Sequence, residues 1–219
     1  MMNNKQDIEI SDLKDFKSWV KEGNDHLIHN EYTAALRCYD NALEKKFGNI
    51  GNYEDEDSEI WDNRGVALSS LGRFHDALES FEIALDIKPD NHRAWSNMGV
   101  TMAALKRFEE AVNCFNRAIE IKPDDRDAID NKGTALFSLS KYDEALQSFN
   151  EALKLNPNDA KALAGKGSIL KFKGEYKEAI ECLEKFIKYA PPELAAQNEE
   201  AWAMIFDLRL LLQNKDNEV

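Results

Sequence analysis

The chain has 219 residues, 43% hydrophobic and 32% charged, a balance that fits a folded protein and not a disordered one. Its 41 acidic and 28 basic residues give a formal charge of −13, which disfavours a sequence-independent grip on nucleic acid phosphates and docking on anionic lipid. No apolar stretch approaches the ~20 residues of a membrane span, and residues 1–7 lack the basic and apolar regions of a signal peptide, so a cytoplasmic protein is expected, with neither nucleic acid nor membrane as partner.

Residues 1–9 are expected to be disordered. From residue 16 onward one pattern recurs. Gly23, Gly65, Gly99, Gly133 and Gly167 mark five copies; the last four are spaced by 34 residues and the first gap is 42. Such a period indicates a stacked array whose units bury their apolar faces only against their neighbours. The repeats fall within 10–193, at about 16–49, 58–91, 92–125, 126–159 and 160–193. Their fourth position is large and apolar: Trp19, Trp61, Trp95, Ile129 and Leu163. Their twentieth is always alanine (Ala35, Ala77, Ala111, Ala145, Ala179), followed four residues later by Tyr39, Phe81, Phe115, Phe149 and Leu183. Pro89, Pro123, Pro157 and Pro191 close four copies.

This spacing predicts two short helices per copy. The second carries an apolar stripe of helical period, as in Phe74, Ala77, Leu78, Phe81, Ala84 and Leu85. Gly72, Gly174 and Asn30 suit the left-handed conformation that ends a first helix, whereas Lys106 and Ser140 hold that place less comfortably. Asp57, Asn91, Asp125 and Asp159 are placed to cap the N-termini of first helices. The long first gap puts an insertion at about 48–57, ending in the acidic run Glu54-Asp55-Glu56-Asp57 with Glu59. It reads as a solvated loop or a lengthened helix; the alternative is an acidic docking element for a basic partner. Residues 194–213 keep the register as a capping helix, with Ala201 lying 34 residues after Gly167, and 214–219 form a tail. Cys38, Cys114 and Cys182 occupy equivalent positions two repeats apart, too distant for a disulfide, and read as buried or half-buried thiols in a reducing compartment.

The residues Trp-x2-Leu-Gly in kind, Ala-x3-Phe and a late Pro, recurring across 16–193, closely resemble the tetratricopeptide repeat (TPR) family. The family's usual Leu at position 7 is replaced by Glu22, Arg64, Met98, Lys132 and Lys166. The resemblance implies an all-α fold, an α-solenoid right-handed superhelix of antiparallel helix pairs. It also implies a concave groove lined by positions 2, 5, 6, 9, 12 and 13 of the first helices, and a non-catalytic scaffold or adaptor that binds a protein or peptide.

Mapping those positions gives the candidate peptide-binding residues. Position 6 is Asn63, Asn97 and Asn131, with Lys21 before and Gly165 after; amides carry donor and acceptor, so a row of them can hold a peptide backbone. Asn24, Asn63 and Arg93 match the carboxylate clamp of co-chaperone members, but Val20 and Asn97 stand where basic residues are expected. Lys17 and Lys21 lie within a turn, and Asp62 would repel a carboxylate. Towards the C-terminus Phe137, Phe172, Trp202, Ile205 and Phe206 offer either aromatic anchors or packing for the last helix. The run Leu208-Arg209-Leu210-Leu211-Leu212 has apolar residues on more than one face, and self-association into homo-oligomers, through the groove or this C-terminal helix, is the competing reading. No catalytic, cofactor or metal site is expected. His26 and His29 lie three apart, but no Cys or carboxylate with recognised ligand spacing accompanies them, and no phosphate loop or nucleophile motif is present.

Overall fold

The computed structural model describes residues 15–47 and 54–217. The expected disorder of residues 1–9 and the first part of the insertion, residues 48–53, fall outside them. The described residues form eleven α-helices, no strand and one 3-10 turn. The helices are α1 Phe16–Ile28, α2 Tyr32–Phe47, α3 Asp57–Ser70, α4 Phe74–Ile87, α5 His92–Ala104, α6 Phe108–Ile121, α7 Arg126–Ser138, α8 Tyr142–Leu155, α9 Ala160–Lys173, α10 Tyr176–Tyr189 and α11 Ala195–Asn217. The all-α helix-pair class expected from the sequence is therefore what the chain adopts. The terminal helix continues to Asn217, beyond the Gln213 end expected for it.

Capping follows the sequence at three of four sites. The side chains of Asn91, Asp125 and Asp159 accept from the backbone N–H groups of Ala94, Ala128 and Ala162 at 3.1–3.2 Å. Asp15, not singled out by the repeat, does the same for Ser18 at 2.7 Å. Asp57 does not cap. It is the first residue of α3, fully buried, and its carboxylate accepts from Lys46 Nζ at 2.6 Å and from the Glu54 N–H at 2.8 Å. Charge-assisted bonds to an ammonium and an amide offset the desolvation of this carboxylate better than one cap would. One member of the acidic run thus turns inward and fastens the insertion to the end of α2.

All five first-to-second-helix turns pass through the left-handed region, at Asn30 (φ 60°), Gly72 (75°), Lys106 (60°), Ser140 (59°) and Gly174 (79°). A side chain costs energy there unless it is Gly or Asn. Ser140→Gly is therefore expected to stabilise the chain by about 0.5–1 kcal/mol, read as a higher urea midpoint at unchanged slope. An unchanged or lower midpoint would count against strain at this turn.

The chain divides into two compact units, residues 1–105 and 106–219. In the first, Tyr39, Ile60, Leu68, Ala77 and Phe81 form the core, with Trp61 and Met98 against it. In the second, Ile129, Leu136, Phe149, Ala152 and Ile169 make one cluster. Leu163, Leu170, Leu183 and Phe186 join Ala201, Ile205 and Leu208 of α11 in another. The repeat alanines at position 20 are all fully buried, since any larger side chain would push apart the two helices of a pair.

Candidate peptide-binding faces

In the first unit the helices that open each repeat are joined by one chain of polar contacts. The Tyr39 hydroxyl donates to Asn24 Oδ1 at 2.8 Å, and Asn63 Nδ2 donates to the same oxygen at 3.0 Å. Asn63 Oδ1 in turn accepts from Arg93 at 3.2 Å. Arg93 lies 3.6 Å from the Asp62 carboxylate, whose other oxygen accepts from Asn97 Nδ2 at 2.7 Å. Burial pushes the Tyr39 hydroxyl up from its ordinary range. Burial also raises Asp62, against the Asn97 hydrogen bond and the Arg93 charge that hold it down. Four of the expected site residues, Asn24, Asn63, Arg93 and Asn97, are therefore brought together. They are tied first to one another. Asp62, almost fully buried, offsets the Arg93 charge, which removes the free cation a carboxylate clamp needs at that place.

Beside this chain lies a cleft of about 650 Å³. Phe16, Val20 and Ile60 give it an apolar lining, and Lys17, Lys21, Asn24 and Asn63 contribute polar groups. The end of the insertion also reaches it: Asp55, Glu56 and Glu59 line the cleft with Lys88. The sequence pattern identified the asparagines and lysines. It missed Tyr39, whose hydroxyl enters from a second helix, and it assigned the insertion no place beside Lys17 and Lys21.

In the second unit, Phe137 and Phe172 meet at 6.3 Å between ring centroids, and Tyr142 closes the group at 5.6 Å from each. Phe172 is 65% exposed. Trp202 and Phe206 do not join this cluster; they stand exposed on α11. Ile205 is buried, because Ala201, Ile205 and Leu208 form the stripe that packs α11 onto its neighbours. Asn131 Oδ1 accepts from Lys161 Nζ. Lys161 also lines a smaller, mostly apolar cleft of about 360 Å³ with Ala164, Leu183, Phe186, Leu194 and Met204.

Sequence reading also missed Asp130, the equivalent in this unit of Asp62. The residue that would correspond to Asn97 is Gly165, so Asp130 lacks an amide partner, and its buried Oδ1 has no hydrogen bond among the described residues. Burial and the nearby Asp159 charge push its carboxyl up to about 7, against Lys161 and Arg126. A recurring acid at position 5 of repeats two and four was the signal available.

The three cysteines are buried and none is in a disulfide, as their spacing in the repeat leads one to expect. Linear spacing puts no recognised ligand set around His26, but the fold gathers donors there. Glu22 and His26 of α1 and Cys38 of α2 place one ligand atom each within 4.8 Å of one another. Cys38 belongs to a different helix, so no linear spacing reveals the grouping. Among the described residues no helix is long and apolar enough to cross a membrane.

Three family profiles, each described as tetratricopeptide repeat, match residues 68–131, 131–159 and 160–193, together more than half of the chain. The TPR repeat-containing protein MJ1428 of Methanocaldococcus jannaschii is 38% identical over 79 residues, 36% of this chain; the matched region is only 12% of that relative's length. Among solved structures, MamA (residues 41 to the end) from Desulfovibrio magneticus RS-1 is similar with a TM-score of 0.68 at 20% identity, covering 80% of this chain and 94% of that one. YrrB, described as a TPR protein with an unusual peptide-binding site, is similar with a TM-score of 0.63 at 24% identity, covering 83% and 90%. At these identities the likeness to solved structures concerns the fold.

Proposed function

The chain belongs to the tetratricopeptide repeat family, and on that premise we propose that it is a non-catalytic adaptor that holds a peptide or helix against its first-helix faces. The observation that carries this reading is the cleft on the first unit, in which Lys17, Lys21, Asn24 and Asn63 surround the apolar lining of Phe16, Val20 and Ile60. A cleft with an apolar lining and a few convergent polar groups is the usual form of a ligand site. The bonded asparagine chain keeps the Asn24 side-chain N–H donors and the Asn97 Oδ1 acceptor for a ligand backbone, while Arg93 and Asp62 hold the amides in place. Mixed charge at the rim, with Lys17 and Lys21 facing Asp55, Glu56 and Glu59, favours a ligand carrying both signs. In the second unit, Asn131 with Lys161 and the exposed Phe172 beside Phe137 form the corresponding polar and aromatic contacts. The cytoplasm suits three cysteines outside any disulfide and is part of the same proposal.

Panning a random peptide-display library on the full chain tests this. Ligands are expected to be enriched whose binding Val20→Asp with Lys21→Glu abolishes and Phe206→Ser leaves intact. Enrichment indifferent to the cleft substitutions would overturn the reading.

The second reading, self-association, rests on α11, where Trp202, Phe206, Leu210 and Leu211 are exposed side chains at 45–69%. Surface of that kind suits a second copy of the chain. Light scattering decides it: a mass that rises with concentration and returns to monomer in Trp202→Ser/Phe206→Ser supports it, and a concentration-independent monomer removes it.

A further inference from the structure

The geometry points to a divalent transition-metal site, of the zinc class, formed by Glu22, His26 and Cys38 on the first unit. Three lone-pair donors of different kinds converge there: a carboxylate oxygen, an imidazole nitrogen and a thiol sulfur, all within 4.8 Å of one another. Carboxylate, imidazole and thiolate are the three protein ligand types that zinc accepts, in tetrahedral sites of four positions. Bond lengths of about 2.0–2.3 Å place such ligands about 3.5 Å apart, so closing the site needs roughly an ångström of movement. The His26 and Glu22 side chains are 27% and 37% exposed, so side-chain rotation at the surface of α1 is the movement available for it.

The imidazole is already set for the task. His26 Nδ1 lies 2.5 Å from Glu31 Oε2, a hydrogen bond in which the ring nitrogen donates. That bond puts the proton of the neutral ring on Nδ1 and leaves the Nε2 lone pair on the side of Glu22, whose Oε1 is 3.9 Å away. A carboxylate behind a ligating histidine is the usual supporting contact of metal sites, fixing both tautomer and ring orientation.

The repeat itself argues that this grouping is not incidental packing. Position 11, where His26 stands, is Leu68, Met102, Leu136 and Leu170 in the other copies, all buried apolar residues. Cys114 and Cys182 are the equivalents of Cys38, yet their neighbours at positions 7 and 11 are Met98 with Met102 and Lys166 with Leu170. Only the first copy combines thiol, imidazole and carboxylate at these three positions. The other two cysteines are thus built-in controls within the same fold. Binding would replace the Cys38 S–H by a sulfur–metal bond, releasing one proton to solvent. The fourth position would stay with water or an incoming ligand, since Glu22 and His26 keep the site partly open.

Cobalt(II) is the probe, because a thiolate bound to it gives an intense near-ultraviolet charge-transfer band and tetrahedral geometry gives strong visible bands. Titrating Co²⁺ into the reduced, untagged full chain is expected to develop both, saturating at one ion per chain, and Zn²⁺ should displace them. The charge-transfer band is expected to vanish in Cys38→Ala and persist in Cys114→Ala and Cys182→Ala. His26→Gln should weaken binding at least about tenfold, and Glu31→Gln about tenfold through loss of the supporting bond. His26 is only partly buried, so His26→Gln tests the site even if Cys38→Ala fails to fold. No charge-transfer band in the wild type, a band that survives Cys38→Ala, or Co²⁺ affinity unchanged by His26→Gln would each overturn the assignment.

Discussion

Phe149→Ala is expected to lower the unfolding free energy by about 3–5 kcal/mol, the range for emptying a buried aromatic site. The Phe149 ring is 2% exposed and lies between two glycines of different helices. A Cβ built on Gly133 of α7 would fall 2.8 Å from the ring, and one on Gly165 of α9 only 2.4 Å from it. Both distances are below contact, so the ring fits because these positions have no side chain, and it bridges two successive first helices. Removing it leaves a cavity that the backbones of α7 and α9 cannot close without moving. The complementary substitution, Gly165→Ala, should also destabilise, and its cost should shrink in a Phe149→Leu background, where the smaller side chain yields. Urea unfolding of the four variants checks both statements. A loss below about 1 kcal/mol for Phe149→Ala, or costs that simply add, would show that the ring is not clamped in this way.

Asp130→Asn is the second large effect, and its sign depends on pH. The folded chain holds the Asp130 carboxyl up at about 7, whereas the ordinary value of 3.8 applies when the chain is unfolded. Between these values the folded state binds the extra proton, so stability contributed at this site declines as pH rises from about 4 to about 7 and stays low above. Replacing the carboxylate by a neutral amide removes that penalty. The variant should gain on the order of 2 kcal/mol at pH 8, with the gain falling away towards pH 4. The residues facing the carboxyl set the size of the effect: Asp127 and Asp159 add to the penalty, and Lys161 and Arg126 reduce it. Thermal unfolding at both pH values decides it. A stability difference that does not change with pH would place the Asp130 ionisation outside this account.

Why Asp130 stands alone shows how far the repeat can be read. Asp62 and Asp130 hold the same position in their copies, and the sequence places them on equivalent helix faces. Asp62 is partnered because Asn97 follows in the next repeat, but Gly165 follows Asp130, where the Phe149 ring occupies the space. The period thus states which residues are equivalent. Which of them are satisfied depends on a neighbour one repeat away and on a ring from a third helix.

The acidic insertion makes the same point. Its charges were legible, and a solvated loop was the simplest reading of them. Asp57 instead turns into the fold, and Asp55, Glu56 and Glu59 line the cleft beside Lys17 and Lys21. Nothing in the order of residues distinguishes the buried carboxylate from the exposed ones. The difference is made by Lys46, the penultimate residue of α2, whose ammonium reaches Asp57.

By itself the sequence determined the helices, three of their four expected caps, the left-handed turns, and the buried alanines and aromatics, because these follow from local periodicity and from conformational preferences of single residues. Only the tertiary structure decided that Tyr39, Asn24, Asn63, Arg93, Asp62 and Asn97 form one bonded chain. It likewise decided that Phe137 meets Phe172 while Trp202 stands apart, and that Cys38 faces Glu22 and His26. Those arrangements depend on side chains reaching across from separate helices over distances of 2.7–6.3 Å. A residue's place in a repeat sets its direction from its own helix. Its partner is set by what the facing helix happens to carry there.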